Sequence, residues 1–276
     1  MKLDLHGVFA RHPAAPRDSA ALRGIDLVLE AGEQVAVIGP SGAGKTTLLQ
    51  VAAAALRPTA GALRIDGADP WSRNARDLRR LRGRLFLAPQ SASLPPRQRV
   101  VTAVLAGCLP GWSLGKSLLS LFHPQDIPGA RAALVRFDLA DKLFARVDRL
   151  SGGERQRVGL ARAFMAPARL WLIDEPLSAL DPARSRLAVT ALTETARERG
   201  ITLLATLHQV DVALAHFPRI VGLRDGAVVF DLPAAEVGEA VLAALYARHA
   251  HERTGPPPGP ADTAAGAPAA VLMQCR

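Results

Sequence analysis

Residues 39–47 of this 276-residue chain read Gly39-Pro40-Ser41-Gly42-Ala43-Gly44-Lys45-Thr46-Thr47. They match the phosphate-binding pattern G-x-x-x-x-G-K-[ST]. The apolar run Gln34–Ile38 comes before them, and a helical pattern over Lys45–Leu56, ended by Pro58, follows. Because that motif requires a strand that turns through glycines into a helix, all nine residues are predicted to bind the phosphates of a nucleotide.

Each residue type in this loop has a chemical reason. Gly42 and Gly44 let backbone N–H groups converge on phosphate oxygens, and the helix N-terminus adds a partial positive charge. The Lys45 ammonium can reach the β- and γ-phosphates, and the Thr46 hydroxyl can bind Mg²⁺. The loop therefore predicts a nucleoside triphosphate and Mg²⁺ as ligands.

A pair of acids follows the apolar run Leu170–Ile173. Asp174 stands at the carboxyl end of that strand, where it can bind Mg²⁺, and Glu175 can polarise an attacking water. Adjacent acids after a strand are also common in turns. Their occurrence together with the phosphate loop favours the catalytic interpretation.

The apolar pattern predicts an α/β domain with a central parallel sheet. Four near-continuous apolar runs have the composition of strands that are covered on both faces, and helical patterns separate them. The predicted strands are Gln34–Ile38, Arg84–Ala88, Leu170–Ile173 and Ile201–Thr206, and the predicted helices are Lys45–Leu56, Ile127–Phe137, Glu154–Met165 and Pro182–Arg199. Residues 91–150 contain no strand pattern, so we expect a helical insertion there.

Composition narrows the class of protein. A hydrophobic fraction of 49% excludes a mostly disordered chain, and two cysteines, Cys108 and Cys275, cannot form a disulfide framework. The uncharged apolar stretch Val100–Gly115 is shorter than the ~20 residues that span a bilayer, and the N-terminus lacks the apolar run of a secretory signal. Residues 248–276 are rich in Pro, Ala and Gly, so we expect a domain over residues 1–247 and a disordered tail.

A second glycine-rich helix start reads Leu150-Ser151-Gly152-Gly153-Glu154. It is another candidate anion site, and since one loop already holds the phosphates, it makes sense if it serves a nucleotide on another copy of the chain. With these residues in place, the chain resembles the ATPases of ATP-binding cassette (ABC) transporters. The resemblance implies a P-loop NTPase (RecA-like) core, an N-terminal antiparallel β subdomain and an inserted α-helical subdomain.

The resemblance also implies roles for single residues. Gln90 matches the glutamine that senses Mg²⁺ and the attacking water and transmits to the membrane partner, and His208 matches the histidine that contacts the γ-phosphate. Ser151, Gly152 and Gly153 match the signature that binds the partner's ATP. His12 stands where the family usually has an aromatic that stacks on adenine. Phe9, three residues earlier, could take that role or be a core residue of the first strand.

The transport system is indicated by one uncommon segment. Residues 107–124, which contain Trp112 and a Ser-Leu-Leu-Ser-Leu-Phe122 run, resemble the helical region of phosphonate-importer ATPases. The resemblance implies an ATP-hydrolysing importer subunit that is peripheral on the cytoplasmic face of the cell membrane. Its partners would be a second ATPase protomer, permease subunits and, indirectly, a solute-binding protein.

Other interpretations stay open at this stage. The same segment fits an amphipathic helix in a variable subdomain. The chain could be an ABC subunit for another solute, or a non-transport ABC ATPase coupled to a membrane complex or to a phosphonate-degrading enzyme assembly. A DNA-repair ATPase of this superfamily would need a long coiled coil or zinc module between its motifs, and only 60 residues separate Gln90 from Ser151.

The net charge of +9 is concentrated in one region. Residues 64–99 contain nine Arg and three Asp, which makes a local charge of +6. The family resemblance places this region near the permease and the membrane. No aromatic-interleaved binding module accompanies the arginines, so a nucleic-acid partner is not expected.

Overall fold

A computed structural model describes residues 1–12 and 20–252, with side chains up to residue 247. Its strands are β1 (Leu3–Ala10), β2 (Leu22–Leu29), β3 (Gln34–Ile38), β4 (Ala60–Ile65), β5 (Leu85–Ala88), β6 (Leu170–Asp174), β7 (Thr202–Leu207), β8 (Arg219–Arg224) and β9 (Ala227–Pro233). Its α-helices are α1 (Lys45–Ala52), α2 (Ala75–Arg82), α3 (Val100–Leu105), α4 (Leu114–Phe122), α5 (Ile127–Val135), α6 (Gly152–Met165), α7 (Pro182–Glu198), α8 (Val210–His216) and α9 (Glu239–Glu252).

The central sheet has the strand order β5-β6-β7-β3-β8-β9. Its first five strands are parallel, and β9 returns antiparallel to β8. The register aligns the carboxyl ends: Ile38 pairs with Leu207, and Asp174 pairs with Thr206. The residues that follow β5, β6, β7 and β3 therefore meet along one edge of the sheet, where open α/β sheets bind their ligands.

Alternate residues of each central strand enter different cores because successive side chains point to opposite faces. In β6, Leu172 packs on the face that carries α1, whereas Trp171 packs on the face that carries α3 and α5–α8. Phe164 of α6 stacks on Trp171 with ring centroids 5.4 Å apart. Burial on both faces explains why these strands are continuously apolar.

The N-terminal strands form a separate antiparallel sheet with the order β2-β1-β4. Leu3 and Leu5 of β1 share a core with Leu48 and Leu49, so α1 lies between this sheet and the central one. The region between β5 and β6 contains α3–α6 and no named strand. The predicted fold class, with its parallel core, antiparallel β subdomain and inserted helical subdomain, is confirmed.

Several predicted boundaries are wrong. Helix α1 ends at Ala52 instead of Leu56, because Ala54 adopts a left-handed conformation (φ 50°) and its carbonyl accepts two hydrogen bonds from Arg82. Helix α6 begins at Gly152 instead of Glu154. Its start is set by Ser151, whose side chain accepts from the Glu154 N–H while the Glu154 carboxylate accepts from the Ser151 N–H.

Strands β8 and β9 were not predicted from the sequence. The apolar run of β8 is only four residues long and is bounded by Arg219 and Arg224.

None of the helices within residues 1–12 and 20–252 is long and apolar enough to cross a membrane. Helix α9 continues past the predicted domain boundary to Glu252, and the rest of the predicted tail, 253–276, lies outside the described residues.

Candidate nucleotide site

A cleft of about 420 Å³ opens at the carboxyl edge of the central sheet. The loops after β3, β5, β6 and β7 contribute to its wall, and so does the end of β1. Its lining residues are His12, Ala21, Ser41, Gly42, Ala43, Gly44, Lys45, Thr46, Thr47, Gln90, Glu175 and His208. Residues from distant parts of the chain that were predicted to act together therefore lie together.

Two glycines of the loop are required because other backbone atoms approach them closely. A Cβ on Gly39 would lie 1.9 Å from the Leu223 carbonyl oxygen, and one on Gly44 would lie 2.4 Å from that of Ala21. Gly44 also has φ 101° and is the N-cap of α1, with no side chain to accept the first N–H groups. The first-turn donors of α1 are therefore left for an anion in the cleft.

The Lys45 side chain is buried under the loop. Its Nζ donates to the carbonyl oxygens of Gly39 at 2.9 Å and Pro40 at 3.0 Å, and it lies 3.9 Å from Oε1 of Glu175. Burial lowers the pKa of Lys45, and the nearby charges of Glu175 and Asp174 oppose that shift. Gly39 and Pro40 do not line the cleft, and their carbonyl oxygens instead accept hydrogen bonds from Lys45.

Asp174 holds two threonine hydroxyls. Its Oδ2 accepts from Thr46 Oγ1 at 2.8 Å, and its Oδ1 accepts from Thr206 Oγ1 at 2.7 Å. A carboxylate beside a hydroxyl is the oxygen-donor chemistry that Mg²⁺ prefers, and this ion usually needs only one or two protein carboxylates beside phosphates and waters. The Thr46 hydroxyl and the Asp174 carboxylate therefore fit the kind of oxygen ligand that a Mg²⁺ ion would need.

Both oxygens of Glu175 have a partner. Gln90 Nε2 donates to Oε2 at 2.6 Å, and His208 Nε2 lies 2.5 Å from Oε1. The backbone of Glu175 is left-handed (φ 45°), and its N–H donates to Thr206 Oγ1 at 2.9 Å. Thr206 was predicted only as a strand residue. Its position two residues before His208, at the end of β7, was the signal in the sequence.

The signature residues are not part of this cleft. Ser151 and Gly152 are exposed at the start of α6, and Gly153 faces the Ala179 carbonyl, which would lie 2.8 Å from a Cβ on it. Gly153 therefore brings α6 against the segment Ser178–Asp181. That these residues serve a different nucleotide from the one on residues 39–47 stays a prediction.

The two candidate adenine-side residues differ in position. His12 lines the cleft, whereas Phe9 is 42% exposed on the surface of β1. The core alternative for Phe9 is therefore wrong. Gly24 of the neighbouring strand lies beside its ring, with 3.5 Å between the ring and a Cβ on that glycine, so no larger side chain covers it.

Comparison with known proteins identifies a family, similar sequences and a similar solved structure. A protein-family model described as ABC transporter matches residues 22–178. The phosphonates import ATP-binding protein PhnC of Polaromonas sp. is 61% identical over the full length of both chains, and PhnC 2 of Albidiferax ferrireducens has the same identity and coverage. A solved dimeric structure of a bacterial ABC transporter cassette is 25% identical and has a TM-score of 0.73 over 84% of this chain and 98% of that one.

Proposed function

This chain belongs to the ABC transporter family, and from that premise we propose that it is the ATP-hydrolysing subunit of a phosphonate importer. The observation that carries the ATPase part is the cleft in which Glu175 lies between Gln90 and His208, above Lys45 and Thr46. Phosphoryl transfer needs positioning and charge stabilisation more than covalent chemistry, and these side chains supply both.

In the proposed mechanism, the triphosphate of ATP lies on residues 39–47. The Lys45 ammonium neutralises charge on the β- and γ-phosphates, and Glu175 accepts a hydrogen bond from the water that attacks the γ-phosphorus. The bond between that phosphorus and the bridging oxygen breaks as the new P–O bond forms, so ADP leaves with the electron pair and the proton of the water passes to Glu175. Gln90 and His208 orient Glu175, and His208 can turn to the γ-phosphate. Thr46, Asp174 and Gln90 would hold a Mg²⁺ ion, which would neutralise phosphate charge.

The proposed active form is a dimer with two ATP molecules at the interface. Each nucleotide would contact residues 39–47 of one protomer and Ser151, Gly152 and Gly153 of the other. Two observations support this arrangement: the signature is exposed away from the cleft of its own chain, and the solved cassette similar to this chain is dimeric. His12 is proposed to pack on the adenine.

The proposed substrate comes from the relatives' names. Two proteins that match the whole chain at 61% identity are called phosphonates import ATP-binding proteins. The cleft residues are assigned to ATP and Mg²⁺ in this proposal, so the proposed specificity lies in the permease and the solute-binding protein. The chain would act as a peripheral subunit on the cytoplasmic face of the membrane, bound to permease subunits.

Reconstitution tests this function. The full chain is assembled with a cognate permease in proteoliposomes, with ATP on the side of this subunit and a radiolabelled alkylphosphonate and its binding protein on the other. We expect ATP-dependent phosphonate uptake with the wild type and none with Glu175→Gln.

Each alternative has its own outcome. Uptake of a different solute but no phosphonate would contradict the substrate assignment. ATP hydrolysis without transport of any solute by an assembled permease complex would favour a non-transport ABC ATPase.

A further inference from the structure

Helix α4 presents its apolar face outward. Leu114, Leu118, Leu121 and Phe122 follow the spacing i, i+4, i+7, i+8, which puts them on one side of the helix. Their exposed fractions are 78%, 54%, 58% and 80%. The opposite side carries the small polar Ser120, which is buried. A surface helix of a globular protein normally has the reverse arrangement.

This apolar surface is concentrated. Six of the eleven large apolar side chains that are exposed in the described part of the chain lie between Leu109 and Phe122. None of the five on α4 belongs to either hydrophobic core of the described residues. Trp112, just before the helix, packs against one of the two cores. The Lys116 ammonium lies 4.8 Å from the centroid of the Trp112 ring.

The stretch of sequence that contains this surface has an excess of positive charge. From Leu78 to Gln125 the chain has no Asp or Glu, but it has six Arg and Lys116, a local charge of +7. The six arginines are Arg79, Arg80, Arg82, Arg84, Arg97 and Arg99. The C-terminal end of α2 lies against the turn that precedes α4. A Cβ added to Gly83, which directly follows α2, would lie 3.2 Å from Cβ of Pro110.

We propose that α4 and the arginines around α2 form a lipid-binding surface that inserts Leu114, Leu118, Leu121 and Phe122 into an anionic bilayer. A helix with leucine and phenylalanine on one side and basic residues beside it binds in the headgroup region, with its apolar side reaching the acyl chains. Anionic headgroups attract nearby Lys and Arg and repel carboxylates. Arg80 and Arg84 are paired with Asp77 and Asp66. The excess of positive charge that is left favours an anionic lipid surface over a protein groove, where opposite charges would usually be paired.

The proposal goes beyond the importer function because it gives the ATPase its own contact with the membrane, apart from any permease. At about 1.5 Å per residue, the nine residues of α4 are far too short to span a bilayer but long enough to lie along its surface. The lipid surface is separate from the nucleotide cleft, whose lining contains no residue of α2 or α4.

Vesicle flotation of the purified full chain, without permease, tests the proposal. We expect binding to phosphatidylcholine vesicles that contain phosphatidylglycerol and much weaker binding to phosphatidylcholine alone. The double substitution Leu121→Ser with Phe122→Ser should lower the partition coefficient at least about tenfold. Arg79→Gln should lower it about fivefold, and this second effect should vanish in concentrated salt.

Matched substitutions elsewhere serve as controls. Leu187→Ser with Val229→Ser removes two other exposed apolar side chains, which are 42% and 39% exposed, and Arg186→Gln removes an exposed charge on α7. Each should change vesicle binding less than twofold. Insertion is checked with Phe122→Trp, whose fluorescence should be quenched by lipids brominated on their acyl chains more than that of the wild type.

Several results would overturn the proposal. Vesicle binding that is unchanged by the Leu121/Phe122 pair excludes α4 as the contact. Loss of permease assembly in detergent by that pair, with no vesicle binding by the wild type, would assign the face to the permease. Loss of a lipid-free dimer would assign it to a second copy. Glu175→Gln should bind vesicles normally, so failure of the importer function and failure of lipid binding can be told apart.

Discussion

Nε2 of His208 lies 2.5 Å from Oε1 of Glu175, while Nε2 of Gln90 donates to the other oxygen of the same carboxylate at 2.6 Å. These partners come from the ends of β7 and β5, on either side of β6, which carries Glu175. The register of three neighbouring strands therefore sets the position of the carboxylate. A group that orients water must be held within hydrogen-bond reach of it, and this arrangement does so.

Replacing Glu175 by Gln should abolish turnover and leave ATP binding intact. The amide keeps the size and hydrogen-bonding capacity of the side chain but loses the charge that polarises water, so kcat should fall by roughly 10²-fold or more. Phosphate release and ATP binding are measured on the same preparation, and size exclusion with ATP should reveal a trapped dimer. Wild-type turnover in this variant would remove Glu175 from the mechanism.

Replacing Thr206 by Val should reduce kcat about tenfold and weaken the apparent affinity for Mg²⁺. The change keeps the shape of the side chain but deletes the hydrogen bond to Asp174 and the one from the Glu175 N–H. Thr206→Ser should restore most of the activity. Thr202 is equally buried at the other end of β7, and its hydroxyl bonds only Met1 and Gly32 among the contacts seen. Thr202→Val should therefore affect stability and leave kcat and the Mg²⁺ dependence unchanged.

Replacing Gly152 by Ala should test the two-protomer site. A Cβ there meets nothing within 4 Å among the residues that the structure describes, so the monomer should fold normally. If the partner's ATP contacts this residue, ATP-dependent dimerisation and ATPase activity should fall roughly tenfold or more. Gly238→Ala is the matched control, since a Cβ on Gly238 also meets no described atom within 4 Å. Equal activity of both variants would argue against the proposed dimer.

Replacing Arg219 by Lys should destabilise the join between the two sheets. Its guanidinium donates to Asp231 through Nε and Nη2, and to Glu33 and the Val28 carbonyl through Nη1. Hydrogen bonding to Asp231 is the main reason that the pKa of Arg219 is raised. A lysine cannot reproduce this fork, so the free energy of unfolding should drop by about 2 kcal/mol in denaturant titration. An unchanged value would mean that the pairs contribute nothing net.

Acid should weaken the start of α6. Glu154 accepts the Ser151 N–H, which is the main reason that its pKa is lowered in the folded chain. A carboxyl whose folded pKa is depressed stabilises the fold above its unfolded pKa, about 4.5, and loses that contribution as the pH falls through the lower folded value.

The measurement is the free energy of unfolding between about pH 5.5 and pH 3, compared between the wild type and Glu154→Gln. The wild type should lose more stability over this interval, because only it carries the titrating carboxylate. Glu194→Gln, on the exposed side of α7, is the control and should follow the wild type. Parallel curves for wild type and Glu154→Gln would contradict the assignment.

Local sequence was sufficient to predict that residues 39–47 lie between a strand and a helix and that Asp174 and Glu175 lie at the end of a strand. Each of these depends on a few neighbouring residues whose backbone geometry and side-chain chemistry follow from residue type. The central strands could be predicted for the same reason, since strands buried on both faces must be apolar throughout. The strands β8 and β9 could not, because their short apolar runs become a sheet edge only by pairing with β3 and with each other.

The amino-acid sequence therefore identifies the candidate site residues, which are 39–47, Gln90, 151–153, Asp174, Glu175 and His208. Tertiary structure alone decided their geometry, because distances between residues more than eighty positions apart, such as Gln90 and Glu175, depend on strand order and register. It also decided which face of α4 is exposed. Helical spacing predicts an apolar side, but whether that side meets the core depends on where the rest of the fold places the helix.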